Sequence, residues 1–175
     1  MFSGKTEELI RRLRRATIAR QKVQVFKPRI DDRYHFGDVV AHDGESFPGV
    51  PVDAPAEILA LVGEDTAVVG IDEVQFFDAS IVGVVEDLAA RGVRVVCAGL
   101  DQDYAGQPFD PVPQLLAVAE VITKVLAVCT VCGAPANRTQ RLTDVTGRIA
   151  VGGGHDYEAR CRRCHVMPAV RPMPA

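Results

Sequence analysis

The sequence predicts an α/β fold with a parallel sheet, and three features carry that prediction. Four short Val-rich apolar runs, at 23–26, 67–71, 93–98 and 121–128, have the unbroken hydrophobicity of strands buried on both faces. Helical patterns separate several of them, and alternating strands and helices build a parallel sheet covered by helices. From Cys129 the texture changes to Gly, Pro, Arg and Cys with little periodicity. The chain therefore divides into a core at 1–128 and a small C-terminal unit at 129–175.

Taken in order, residues 7–20 put Leu9, Ile10, Leu13, Ala16 and Thr17 on one helical face with the arginines largely opposite. Glu7 and Glu8 open this helix where the macrodipole favours acids, which fits a solvated basic face better than an acid-poor presequence. After the first strand, residues 37–53 carry several Gly and Pro and two short alternating runs, the mark of a mobile hairpin or loop. Helices follow at 55–61, at 80–90 with Gly92 beyond its end, and at 113–120. The tail at 171–175 reads as frayed.

With 175 residues, 47% of them hydrophobic, and a net charge of -3, the chain has enough apolar surface for a packed core and too little charge for disorder. A pI near 5.8 argues against affinity based on neutralising nucleic-acid phosphates. No apolar stretch approaches the length of a membrane span and no secretory h-region is present, so the chain reads as cytosolic, with neither a nucleic-acid nor a membrane partner.

Of the five cysteines, Cys129, Cys132, Cys161 and Cys164 form two Cys-x-x-Cys pairs with 28 residues between them. Two such knuckles supply four thiolates for a tetrahedral zinc site; the spacing exceeds the usual 15 to 20 or so, so the intervening segment must loop out. His165 could replace Cys164 as fourth ligand, although the paired symmetry favours Cys164. Two disulfides are the bland alternative, disfavoured by the odd fifth cysteine and the cytosolic reading. Cys97, inside an apolar run, reads as an inert core thiol.

Gly4-Lys5-Thr6 at the start of a helix is the second half of the phosphate-loop pattern, in which backbone amides and a lysine meet phosphates and a hydroxyl reaches magnesium. The first glycine of that pattern falls two positions before Met1. The motif also needs a buried strand ahead of it, so a strand of about 8 to 12 residues is expected upstream. The tripeptide alone is weak, but the strand ending in Asp72-Glu73 strengthens it, as such a carboxylate pair holds magnesium beside a phosphate loop. Asp72 then serves the metal and Glu73 a nucleophile, as general base or positioning acceptor. Residues alone leave open whether that nucleophile is water or a substrate hydroxyl.

Together these stretches resemble a family, the zinc-containing cellular-type (type II) thymidine kinases. The resemblance rests on residues 1–9, 71–77 (Ile-Asp-Glu-Val-Gln-Phe-Phe), 99–101, 107–109 and 124–129, and on Gly152-Gly153 leading to Tyr157 and the last Cys-x-x-Cys pair. It implies a RecA-like phosphate-loop core and a zinc subdomain with a lasso loop, usually in a homotetramer. It also implies transfer of the γ-phosphoryl of ATP to the 5'-hydroxyl of thymidine, with feedback by dTTP. Position by position, the resemblance assigns Met1, Phe2, Ser3, Gly4, Lys5, Thr6, Asp31, Asp32, Arg33, Asp72 and Gln75 to ATP and magnesium, and Glu73 to the 5'-hydroxyl proton. Phe76, Leu100 and Tyr104 match the base pocket, although Phe is common where Tyr104 stands. Thr139 faces the thymine methyl, and the backbone of Arg148, Ile149, Ala150, Val151 and Gly152, with Tyr157, closes over the nucleoside. Two readings compete: a DNA-stimulated ATPase with a zinc-ribbon module, motivated by the basic helix and Arg160, Arg162 and Arg163, and a relative that binds nucleotide without turnover.

Overall fold

The computed structural model describes residues 1–30, 38–40, 44, 46–143 and 155–166. They group into two compact units. One comprises residues 4–101 and 108–125; the other takes residues 1–3, 102–107 and the chain from 126 onward.

The larger unit runs α1 (Lys5–Ile18), β1 (Val23–Pro28), β2 (Asp38–Val40), β3 (Ser46–Pro48), β4 (Val50–Val52), α2 (Pro55–Leu61), β5 (Val68–Ile71), α3 (Ser80–Ala90), β6 (Arg94–Cys97) and α4 (Val112–Val118). Its sheet has the order β4-β1-β5-β6 with every pair parallel. Strand alternation sorts the core into two layers. Val25 and Val68 pack with Leu9, Ile10, Leu13 and Ala16 of α1, while Phe26, Val69 and Ile71 pack with Ile58, Ile81, Leu88 and Leu115 from the other helices. Gly70 faces α1, and a Cβ there would lie 2.9 Å from a methyl of Leu13, so the missing side chain is what lets α1 sit this close to β5.

Several sequence expectations need correction. Residues 121–128 do not form a sheet strand: 121–126 carry no regular structure, Val121 and Ile122 are exposed, and only Ala127–Val128 pairs, in a short hairpin with Pro135–Ala136. Apolar content gives a strand only where a neighbour supplies a hydrogen-bonding ladder, and no described strand runs beside this segment. Within 37–53, β2 and β3 form the expected hairpin, but β4 extends the parallel sheet. Pro51 is tolerated there because β4 is an edge strand. Cys97 is exposed rather than sealed in the core, since β6 is the other edge; neighbouring atoms still crowd its sulfur enough to push the thiol up to about 12. Thr17 is exposed and bonds back to the Leu13 carbonyl at 3.2 Å.

The smaller unit contains β7 (Ala127–Val128), β8 (Pro135–Ala136), β9 (Arg138–Arg141) and β10 (Tyr157–Arg160), paired as two antiparallel hairpins. Its core is small, with Ala127, Cys129, Ala136, Ala159 and Cys161 buried and Phe2 packed against them. Among the described residues, no helix is long and apolar enough to cross a membrane.

Candidate active site

In the larger unit the two strongest sequence signals meet. Gly4 caps α1 with φ 77°, a conformation open to glycine, and places Lys5 and Thr6 in the first turn. β5 ends at Ile71, so Asp72 and Glu73 leave the sheet at its carboxyl edge, where ligands bind in parallel α/β sheets. The Lys5 ammonium lies 2.6 Å from Glu73 Oε1 and 3.8 Å from Asp72 Oδ1, and the Thr6 hydroxyl donates to Asp72 Oδ2 at 3.2 Å. Asp72 Oδ1 also accepts the Glu73 backbone N–H at 2.9 Å.

Both carboxylates are buried. Desolvation raises the Asp72 carboxyl above its ordinary value, and the charge of Lys5 opposes that rise. Two buried acids facing one lysine leave a site rich in hard oxygen donors. A hydroxyl and a carboxylate this close suit the oxygen coordination that magnesium requires.

Glu73 is fixed from behind. Its backbone is left-handed, φ 49°, at the entry to the 3-10 turn Val74–Phe76. The buried Gln75 amide donates to Glu73 Oε2 while its oxygen accepts the Leu100 N–H at 3.0 Å. A Cβ on Gly99 would sit 2.6 Å from Val74 and 2.8 Å from the Gln75 oxygen, so this close approach requires glycine. Phe76 and Leu100 are half-buried around the same turn.

In the smaller unit, the sulfurs of Cys129, Cys132, Cys161 and Cys164 all lie within 4.8 Å of one another, and all are free thiols. Both knuckles are built by backbone bonds: Gly133 N–H to the Cys129 carbonyl at 2.9 Å, and Cys164 N–H to the Cys161 carbonyl at 3.1 Å. The Cys132 to Cys161 separation of 3.7 Å matches the edge of about 3.8 Å expected of a tetrahedron with metal–sulfur bonds near 2.3 Å. The four thiols therefore fit a structural metal. The imidazole of His165 instead pairs with the Tyr104 carbonyl at 2.9 Å, which leaves Cys164 as the fourth donor.

The same unit holds the other predicted residues. Register pairs Arg141 with Tyr157 and Thr139 with Ala159, so these four side chains share one face of the β9–β10 hairpin. Thr139 and Tyr157 are buried, and the Met1 ammonium donates to Thr139 Oγ1 at 3.0 Å. Leu142 N–H bonds the Asp156 carbonyl at 2.8 Å, closing the root of the segment expected to form the lasso. Asp31, Asp32, Arg33, Arg148, Ile149, Ala150, Val151 and Gly152 lie outside the described residues.

Sequence reading missed two arginines. Arg138 holds the 102–107 loop through Gln102 Oε1 at 2.5 Å and the Gly106 carbonyl at 3.4 Å. Arg141 stacks on the Tyr104 ring at 3.6 Å. The signal available was the period-two alternation of Thr139 and Arg141 on a short strand.

The sequence model of a family described as thymidine kinase matches residues 1–165. A relative named thymidine kinase, from Rhodothermus sp. (strain ITI 518), is 59% identical over 168 residues, covering 96% of this chain and 78% of that protein.

Proposed function

Because the chain belongs to the thymidine kinase family, we propose that it transfers the γ-phosphoryl of ATP to the 5'-hydroxyl of thymidine, giving dTMP and ADP, with its described residues in the following roles. The observation that carries this reading is the constellation of half-buried Lys5 with the buried Thr6, Asp72 and Glu73 at the start of α1 and the end of β5. Lys5 and the backbone amides of the first turn of α1 bind the β and γ phosphates, with Met1, Phe2, Ser3 and Gly4 preceding them in the loop. Thr6 and Asp72 hold magnesium, which when bound spreads the charge developing on the transferred group.

Glu73 accepts the proton of the 5'-hydroxyl as it attacks. Lys5 pairs with one oxygen of this carboxylate at 2.6 Å, and Gln75 donates to the other and fixes its orientation. The family resemblance assigns Phe76, Leu100 and Tyr104 to the base, Thr139 to the thymine methyl and Tyr157 to the nucleoside. Asp31, Asp32 and Arg33 are assigned to the phosphates, and the backbone of 148–152 to the nucleoside, on the family resemblance alone. The four cysteines hold zinc, whose role is to fix the roots of the lasso. A cytoplasmic homotetramer under dTTP feedback completes the proposal; family membership supports this part.

Glu73→Gln tests the assignment. It keeps the Gln75 contact but removes the base, so turnover falls by about 10² to 10⁴ while ATP affinity is retained. Turnover equal to that of the unaltered enzyme would remove Glu73 from the chemistry.

A further inference from the structure

Tyr104 comes from the 102–107 loop and Tyr157 from β10, so these residues reach the smaller unit from distant parts of the sequence. One side chain joins them. The Arg141 guanidinium lies 3.6 Å from the centroid of the Tyr104 ring and 5.5 Å from that of Tyr157, and its terminal NH2 donates to the Tyr157 hydroxyl at 3.1 Å.

Only a planar cation can do both. A guanidinium stacks flat on one ring while its in-plane N–H groups point sideways to a hydroxyl; an ammonium can approach a ring face or a hydroxyl, with no plane to align the two. The backbone supports the arrangement. Arg141 and Tyr157 are directly opposed in the β9–β10 ladder, and the Tyr104 carbonyl is pinned by His165. Arg138, three residues earlier, ties down the same loop through Gln102 and Gly106.

We propose that Arg141 is a positioning residue for the nucleoside, holding the Tyr104 ring and the Tyr157 hydroxyl in the one mutual arrangement that binds it. This rests on the reading above that Tyr104 and Tyr157 contact the nucleoside. Arg141 itself need not touch substrate. Its loss is therefore felt in nucleoside recognition and not in phosphoryl transfer or ATP binding.

The test is steady-state kinetics on the zinc-loaded enzyme with Arg141→Lys, Tyr104→Leu, Tyr157→Phe and the double variant Arg141→Lys/Tyr157→Phe. Arg141→Lys keeps the charge and is expected to raise the thymidine KM about tenfold, leaving kcat, the ATP KM and the melting temperature unchanged. Tyr157→Phe should raise the thymidine KM alone but add little in the Arg141→Lys background, because the bond it removes is already lost. If the tyrosine variants raise the thymidine KM and Arg141→Lys does not, Arg141 has no positioning role and the inference fails while the tyrosine assignment stands. If neither tyrosine variant changes it, the underlying assignment fails. If Arg141→Lys lowers kcat, ATP affinity and melting temperature together, its role is structural and the inference is overturned. Should Arg141→Lys fold poorly, Arg141→Met, which keeps the length of the apolar stem and removes both the in-plane donors and the cation, takes its place with the same expectations.

Discussion

Glu73 sits in a left-handed conformation, flanked by Lys5 in front and Gln75 behind, and the second of these contacts depends on a residue far along the chain that has no side chain. Gly99→Ala tests that dependence. The added Cβ would push Gln75 off the Leu100 N–H and away from Glu73, so turnover is expected to drop about tenfold, equivalent to about 1.4 kcal/mol, with ATP affinity little changed. The Asp72-Glu73 pair was legible in the sequence because a Val-rich strand ran straight into it. The bracing of Glu73 was not, since it depends on a close approach between residues 73–75 and 99–100 that local pattern does not encode.

At the scale of elements, α1 couples the phosphate-binding turn to the sheet. Leu13 is fully buried against Gly70 of β5. Leu13→Ala should cost about 2–5 kcal/mol in a denaturant titration, the range for a large-to-small core change. On the outer face, Glu8 accepts from Arg11 at 2.7 and 2.8 Å and from Arg12 at 2.8 Å, and these bonds hold its carboxyl down at about 2. A depressed carboxylate pKa stabilises the fold above the unfolded value near 4.5, and that contribution is lost as pH falls toward 2. Glu8→Gln should therefore melt slightly below the unaltered protein at pH 7, by a small margin given partial exposure, and the gap should close in melts near pH 2.

The elements also show where pattern reading works. The α1 stripe and the helices Pro55–Leu61 and Ser80–Ala90 were legible because their periodicity coincides with their burial, and β1 and β5 because their apolar runs are largely buried; β6 was legible from its apolar run although, as an edge strand, none of its residues is buried. The run at 121–128 looked equally strand-like, but strand formation depends on a partner elsewhere in the chain. The three-residue β4 escaped notice for the opposite reason: it is too short and too rich in turn residues to announce itself, and pairing with β1 alone makes it a strand.

At the scale of the molecule, two units divide the work. The larger carries the oxygen donors and the lysine; the smaller has a core of mostly small residues, too little to hold itself without a staple. Metal should supply that staple. Elemental analysis is expected to find one zinc per chain, lost in Cys161→Ser, with thymidine affinity falling alongside it. A Cys161→Ser protein that kept full zinc and full thymidine affinity would contradict the assignment. The two knuckles could be read from spacing alone, whereas the convergence of Tyr104, Arg141 and Tyr157 could not, because it joins a loop from the middle of the chain to a hairpin near its end.

The central claim is that this site delivers a phosphoryl group to a nucleoside and not to water. ADP and dTMP measured together, with and without thymidine, test it most directly. The account predicts that the two products appear one for one and that ADP formation is negligible without thymidine. ADP released at a comparable rate without thymidine would contradict it.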